Sequence, residues 1–107
     1  LCRIDQTMRR PIRREAYLID KDGDHNPALA TVVDDVLDSI DALLAEGRQV
    51  LVHCNGGRSR TGLILAAHMM RHGRSFAEAK ALLAATWPDA HFFNQAFVEE
   101  LQLRDRR

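Results

Sequence analysis

A chain of 107 residues and 12.1 kDa has room for one domain around one core, so its function must fit in a single site. Fifteen basic residues balance fifteen acidic ones and 46% of positions are apolar, which excludes a charged disordered tail and a basic nucleic-acid wrapper. The longest unbroken apolar run, residues 63–67, falls far short of the roughly 18 that a membrane span needs, and no apolar export signal follows the Arg-rich start; a cytoplasmic protein with reduced thiols at Cys2 and Cys54 is expected.

In chain order, residues 1–4 and 16–20 are short apolar stretches around an Arg-rich connection and are predicted as strands. Asn26 and Pro27 supply an N-cap and a first-turn proline. Leu29, Val32, Val33, Val36, Leu37, Ile40, Leu43 and Leu44 then recur at helical spacing until Gly47 ends the helix. Asp34, Asp35, Asp38 and Asp41 fall between these apolar positions and predict a wet helix face rather than a metal cluster. Residues 49–53 contain Val50, Leu51 and Val52 in succession, as expected for a strand covered on both sides. A glycine-rich turn leads to a helix over about 61–72, with Gly73 as its stop. Ser75 and Glu78 form a capping box for a helix running to about 85, which Trp87 and Pro88 break. Asn94 is placed to cap a last helix whose Phe97 and Leu101 share a face. Alternating strands and helices predict an α/β fold, with a mainly parallel central sheet flanked by helices, in one domain spanning residues 1–107.

The charge is unevenly spread. Residues 20–46 hold eight acids against Lys21 alone, whereas residues 47–77 hold no Asp or Glu but include Arg48, Arg58, Arg60, Arg71 and Arg74. Such an acid-free, Arg-rich stretch suits an anion; Arg71 and Arg74 are read as a solvated helix face. Inside it lies His53-Cys54-Asn55-Gly56-Gly57-Arg58-Ser59-Arg60-Thr61-Gly62. A Cys-x5-Arg spacing alone would arise by chance roughly one time in four in so Arg-rich a chain, and the context supplies the specificity. A strand before, two glycines within and a helix opening behind make backbone N–H groups converge on one point, the construction of an oxyanion cradle. A thiol placed there is expected to ionise well below the ~8.5 of free cysteine. Arg60 offers a planar fork for two phosphate oxygens, and Thr61 a hydroxyl for the sulfur when it leaves. No metal-ligand spacing is read in the chain, and no cofactor is expected.

His53-Cys54-x5-Arg60-Thr61 resembles the signature loop of cysteine-dependent protein phosphatases, in particular the compact dual-specificity branch. Trp87-Pro88 followed by Asn94, Phe97 and Leu101 is similar to that branch's downstream pattern. The resemblance implies a metal-free phosphoric monoester hydrolase with Cys54 as nucleophile, Arg60 as transition-state clamp and His53 orienting the cysteine. The phosphate would lie against Asn55, Gly56, Gly57, Arg58, Ser59 and Arg60. An Asp on a loop before the long helix would protonate the leaving oxygen; residues 20–25 hold Asp20, Asp22 and Asp24, of which Asp22 is preferred. Asp89, in the Trp87-Pro88-Asp89 lookalike downstream of the cysteine, is a lesser candidate. The substrate is a phosphorylated protein or a small phosphomonoester, and neither nucleic acid nor membrane is a partner. Arg58 stands where lipid- and inositol-phosphate-directed members often carry Lys, a hint of multiply phosphorylated substrates. Compact members usually have strands before the segment matching Leu1, so the chain is expected to lack the first strands of the domain.

Other readings compete. A nucleotide-binding P-loop fails because Leu63 and Ile64 stand where Lys and Ser or Thr belong. A calcium loop at Asp22 has Val33 where its twelfth-position Glu belongs. Rhodanese-type sulfur transfer typically uses a shorter loop and no paired acid. A non-catalytic phosphate-binding module remains the alternative. Similar cassettes, including the Leu1-Cys2-Arg3-Ile4 start and the Asn26-Pro27-x-Leu29 opening, also occur in bacterial chains joined to an ADP-ribosylglycohydrolase domain.

Overall fold

The computed structural model describes residues 16, 18, 28–54, 59–86 and 95–106. These contain four helices: α1 (Leu29–Ala45), α2 (Ser59–Arg71), α3 (Phe76–Thr86) and α4 (Gln95–Asp105). None is long and apolar enough to cross a membrane.

Local chemistry accounts for the ends of α1 and α2 and for the start of α3. α1 stops where Gly47 adopts φ 78, and Arg48 N–H then donates to the Leu43 carbonyl at 3.1 Å while Gly47 N–H donates to Leu44 at 2.9 Å. α2 ends the same way at Gly73, with φ 106 and bonds from Arg74 to Met69 and from Gly73 to Met70. Both are Schellman closures, which need a residue that tolerates the left-handed region. The predicted capping box of α3 is present: Ser75 Oγ accepts from Glu78 N–H at 3.1 Å and Glu78 Oε1 from Ser75 N–H at 2.9 Å. Asp105, at the far end of α4, takes the next orphan donor, the Phe76 N–H, at 2.9 Å. The start of α1 differs from expectation: it begins at Leu29 behind Ala28, whose φ is 58 and which gives no side-chain cap. Asn26, Pro27, Trp87, Pro88 and Asn94 lie outside the described residues.

The expected α/β fold with a mainly parallel central sheet is not what forms among the described residues, which hold helices and turns but no strand. Residues 48–54 show the reason. Val50 and Val52 are half-buried against the core, whereas Leu51 is 45% exposed and His53 lies in solvent. The segment therefore buries one side, not two. An apolar run reports a tendency to be covered, but a strand exists only where a neighbour supplies its ladder of hydrogen bonds. Apart from Ala16 and Leu18, the other two predicted strands lie outside the described residues.

Helix packs on helix instead. α2 contacts α1, α3 and α4, and α3 contacts α4. Leu63, Ile64, Ala66 and Ala67 form the buried face of α2 and meet Val33, Leu37 and Ile40 of α1, Ala79 and Leu83 of α3, and Phe97 and Leu101 of α4. Each fully buried Val, Leu or Phe contributes about 1.5–3 kcal/mol, and the alanines let the helix backbones approach. A polar clasp joins α4 to α1. Arg104 donates to Glu100 at 2.8 Å, to Asp34 at 2.8 Å and to the Ala30 carbonyl at 3.1 Å, so the nearly buried Glu100 carboxylate is neutralised where it lies.

Hydrogen bonds from Ser75 hold the Glu78 carboxyl below its ordinary 4.5. A depressed folded-state pKa means that this stabilisation is complete at neutral pH and is lost as the pH falls through the folded value. Ser75→Ala is expected to lower stability by about 1 kcal/mol. Glu78→Gln should destabilise at pH 7 and match the parent in acid, as followed by urea unfolding at both pH values.

Candidate active site

Cys54 is the last residue of the 48–54 segment and α2 opens five residues later at Ser59, and the thiol lies against the helix start. There Thr61 Oγ1 donates to Cys54 Sγ at 3.1 Å. Thr61 is buried and Cys54 half-buried, and Cys54 is reduced. A buried hydroxyl donating to sulfur stabilises negative charge there, and the desolvation of Thr61 makes the bond costly to lose. The helix adds to this. Its first turn carries no acid, while His68 and Arg71 occupy its last turn. The positive end of the helix dipole thus faces the thiol uncompensated by any acid of the first turn.

Arg60 is on the first turn of α2, beside Thr61, and its Nη1 donates to the Leu18 carbonyl at 3.4 Å. That bond ties the helix start to the segment preceding the predicted acid loop, across 42 residues of sequence. His53 adjoins Cys54 and is exposed. Among the predicted site residues, Cys54 and Thr61 are therefore brought into contact, and Arg60 is directed toward residue 18. Asp22, its competitors Asp20, Asp24 and Asp89, and the loop residues Asn55, Gly56, Gly57 and Arg58 lie outside the described residues, and Ser59 is placed only as the first residue of α2.

A second polar cluster forms at the other end of α2. Arg71 donates to Asp38 at 2.8 Å, to Asp41 at 3.3 Å and to Asp34 at 3.5 Å. His68 Nε2 and His72 Nε2 lie 3.1 and 2.8 Å from Asp41 Oδ1. Three of the four aspartates expected to form a wet face of α1, Asp34, Asp38 and Asp41, are thus its docking contacts to α2, while Asp35 is exposed, and Arg71 is an ion-pair partner rather than a merely solvated arginine. Hydrogen bonds from His72, then from Arg71 and His68, hold the Asp41 carboxyl down at about 2 against the opposing effect of desolvation. The four-residue spacing of His68 and His72 was legible as one helix face. Their partner comes from 27 and 31 residues earlier, which no local pattern reports.

Comparison with known proteins gives this geometry its context. The family model described as dual specificity phosphatase, catalytic domain, matches residues 5–104. The chain belongs to that family. Two curated relatives from Arabidopsis thaliana are similar to this dual specificity phosphatase domain. Dual specificity protein phosphatase 1 is 37% identical over 70 residues, which are 64% of this chain and 35% of the relative. Dual specificity protein phosphatase 1B is 35% identical over 75 residues, 69% of this chain and 44% of the relative. The chain therefore spans less than half the length of either. No solved structure matches it significantly.

Thr61→Val keeps the shape of the side chain and removes the donor to sulfur. It is expected to slow alkylation of Cys54 by iodoacetamide at pH 6 roughly tenfold, the worth of a hydrogen bond to a charged group. At strongly alkaline pH, where the thiol ionises unaided, the two rates should converge. Mass spectrometry of the peptide containing Cys54 separates its modification from that of Cys2.

Proposed function

We propose that this domain is a phosphoric monoester hydrolase of the tyrosine and dual-specificity kind, acting on phosphorylated protein through a cysteinyl-phosphate. The observation that carries the reading is the Thr61 hydroxyl on Cys54 Sγ at the acid-free start of α2, in a chain of the dual specificity phosphatase family. Both relatives are named as dual specificity protein phosphatases, which favours phosphotyrosine and phosphoserine or phosphothreonine on proteins over free phosphomonoesters.

In the first step the Cys54 thiolate attacks phosphorus. The S–P bond forms as the ester P–O bond breaks, and Asp22 gives its proton to the leaving oxygen. Arg60 pairs two equatorial oxygens with its fork, while the N–H groups of Asn55, Gly56, Gly57, Arg58 and Ser59 take the remaining charge. His53 orients the nucleophile. In the second step water attacks phosphorus and gives a proton back to the Asp22 carboxylate; the S–P bond breaks, and Thr61 receives the departing thiolate with its hydroxyl. Neither step calls on a metal or cofactor.

Cys54→Ser should abolish turnover while tungstate binding persists, because serine does not ionise in such a cradle as a thiol does. Retained hydrolysis in that variant, or tungstate binding with no turnover of any phosphoester by the parent, would overturn the proposal. The acid is assigned by leaving-group dependence. Asp22→Asn is expected to slow tyrosyl and alkyl phosphate hydrolysis strongly and an activated aryl phosphate little, because a good leaving group needs no proton. A steep response in Asp20, Asp24 or Asp89 variants with a flat one at Asp22 would move the assignment.

A further inference from the structure

We infer that Asp41, His68 and His72 form a binding site for a divalent transition ion of the zinc class, remote from the candidate catalytic cysteine and staple-like in effect. His68 and His72 are four residues apart and so share one face of α2. His72 lies just past the last helical residue, but its N–H still bonds the carbonyls of His68 and Met69 at 3.3 and 3.2 Å, which keeps it in register. Across the interface α1 presents Asp41, and both imidazole Nε2 atoms converge on one of its oxygens, Oδ1.

The separations suit a metal. Two tetrahedral ligand atoms at zinc distances stand ~3.3 Å apart; the two histidine-to-carboxylate separations are 3.1 and 2.8 Å, and all three ligand atoms lie within 4.8 Å of one another. The remaining imidazole-to-imidazole separation closes by rotation of His72, whose side chain is 56% exposed. The second carboxylate oxygen is already engaged, because Arg71 donates to Asp41 Oδ2. That bond turns Oδ1 toward the histidines, the usual part of an outer-shell partner. Arg71 is itself shared with Asp38 and Asp34, so its charge is spread over three carboxylates and does not oppose the ion alone. Two imidazoles and one carboxylate select Zn²⁺, Co²⁺, Ni²⁺ or Cu²⁺ over Mg²⁺ and Ca²⁺, which prefer shells built from oxygen. With three protein ligands at an open surface, water completes the shell. An ion held there cross-links α1 to the end of α2 opposite Cys54, so its effect is on stability.

The test uses untagged protein carrying Cys54→Ser, so that thiolate at that position takes no part in binding. Co²⁺ should produce visible d–d absorption that saturates at one equivalent and is displaced by Zn²⁺. Zn²⁺ at ten times its dissociation constant should raise Tm by about 5 °C or more. His72→Gln and His68→Gln, each added to this background, should weaken Co²⁺ binding at least about tenfold while the far-UV spectrum without metal is unchanged. His72→Gln stands as the control for folding, since its side chain lies largely in solvent. No Co²⁺ absorption together with no Zn²⁺-dependent rise in Tm would overturn the inference, as would Co²⁺ binding undiminished in both glutamine variants.

Discussion

Burial of one face of α2 against three other helices is the constraint on which the rest of the molecule depends. Leu63, Ile64, Ala66 and Ala67 are nearly or wholly removed from solvent, and they hold the helix at a fixed rotation about its own axis. That rotation decides what the polar residues of α2 meet. At the N-terminal end it turns Thr61 inward, where its hydroxyl finds the sulfur of Cys54. At the C-terminal end it turns His68 and Arg71 onto α1. A helix free to rotate by one residue, about 100°, would present neither contact.

The two ends of α2 are electrically complementary to its dipole. Basic residues in the last turn lie against the negative end, and Asp34, Asp38 and Asp41 of α1 balance them. The first turn, free of acids, leaves the positive end to the thiol. Asp34, Asp38 and Asp41 thus serve as partners for cations on α2, and Arg104 with Glu100 and Asp34 repeats the theme on the other flank. Among the described residues, Arg71 and Arg104 set their charge against carboxylates of α1 across helix interfaces.

The parts of this structure that are legible in the sequence are those whose cause lies within a few residues. Gly47 and Gly73 stop helices because each helix end needs a left-handed residue, and Ser75 with Glu78 starts one because the two side chains satisfy each other's backbone donors. Phe97 and Leu101 share a buried face because four residues make about one turn. The central sheet is not legible in this way. Val50, Leu51 and Val52 read as a strand by composition, yet a strand is a relation between segments, and the described residues give this one no ladder partner. The start of α1 fails for a milder reason: Ala28 takes the left-handed conformation at a position where no local preference would put it.

The same division runs through the site. By itself the sequence determined the order His53, Cys54, five residues, Arg60, Thr61, and with it the family, because a turn leading into a helix start constrains residue types locally and legibly. It also set His68 and His72 four residues apart, the spacing of one helix face. Only the tertiary structure decided that Thr61 is buried on the sulfur, that Arg60 reaches back to the carbonyl of Leu18, and that both histidines meet Asp41. Contacts such as these join residues up to 42 positions apart. They follow from how apolar faces pack, and the packing is set by the whole core at once rather than by any one stretch of chain.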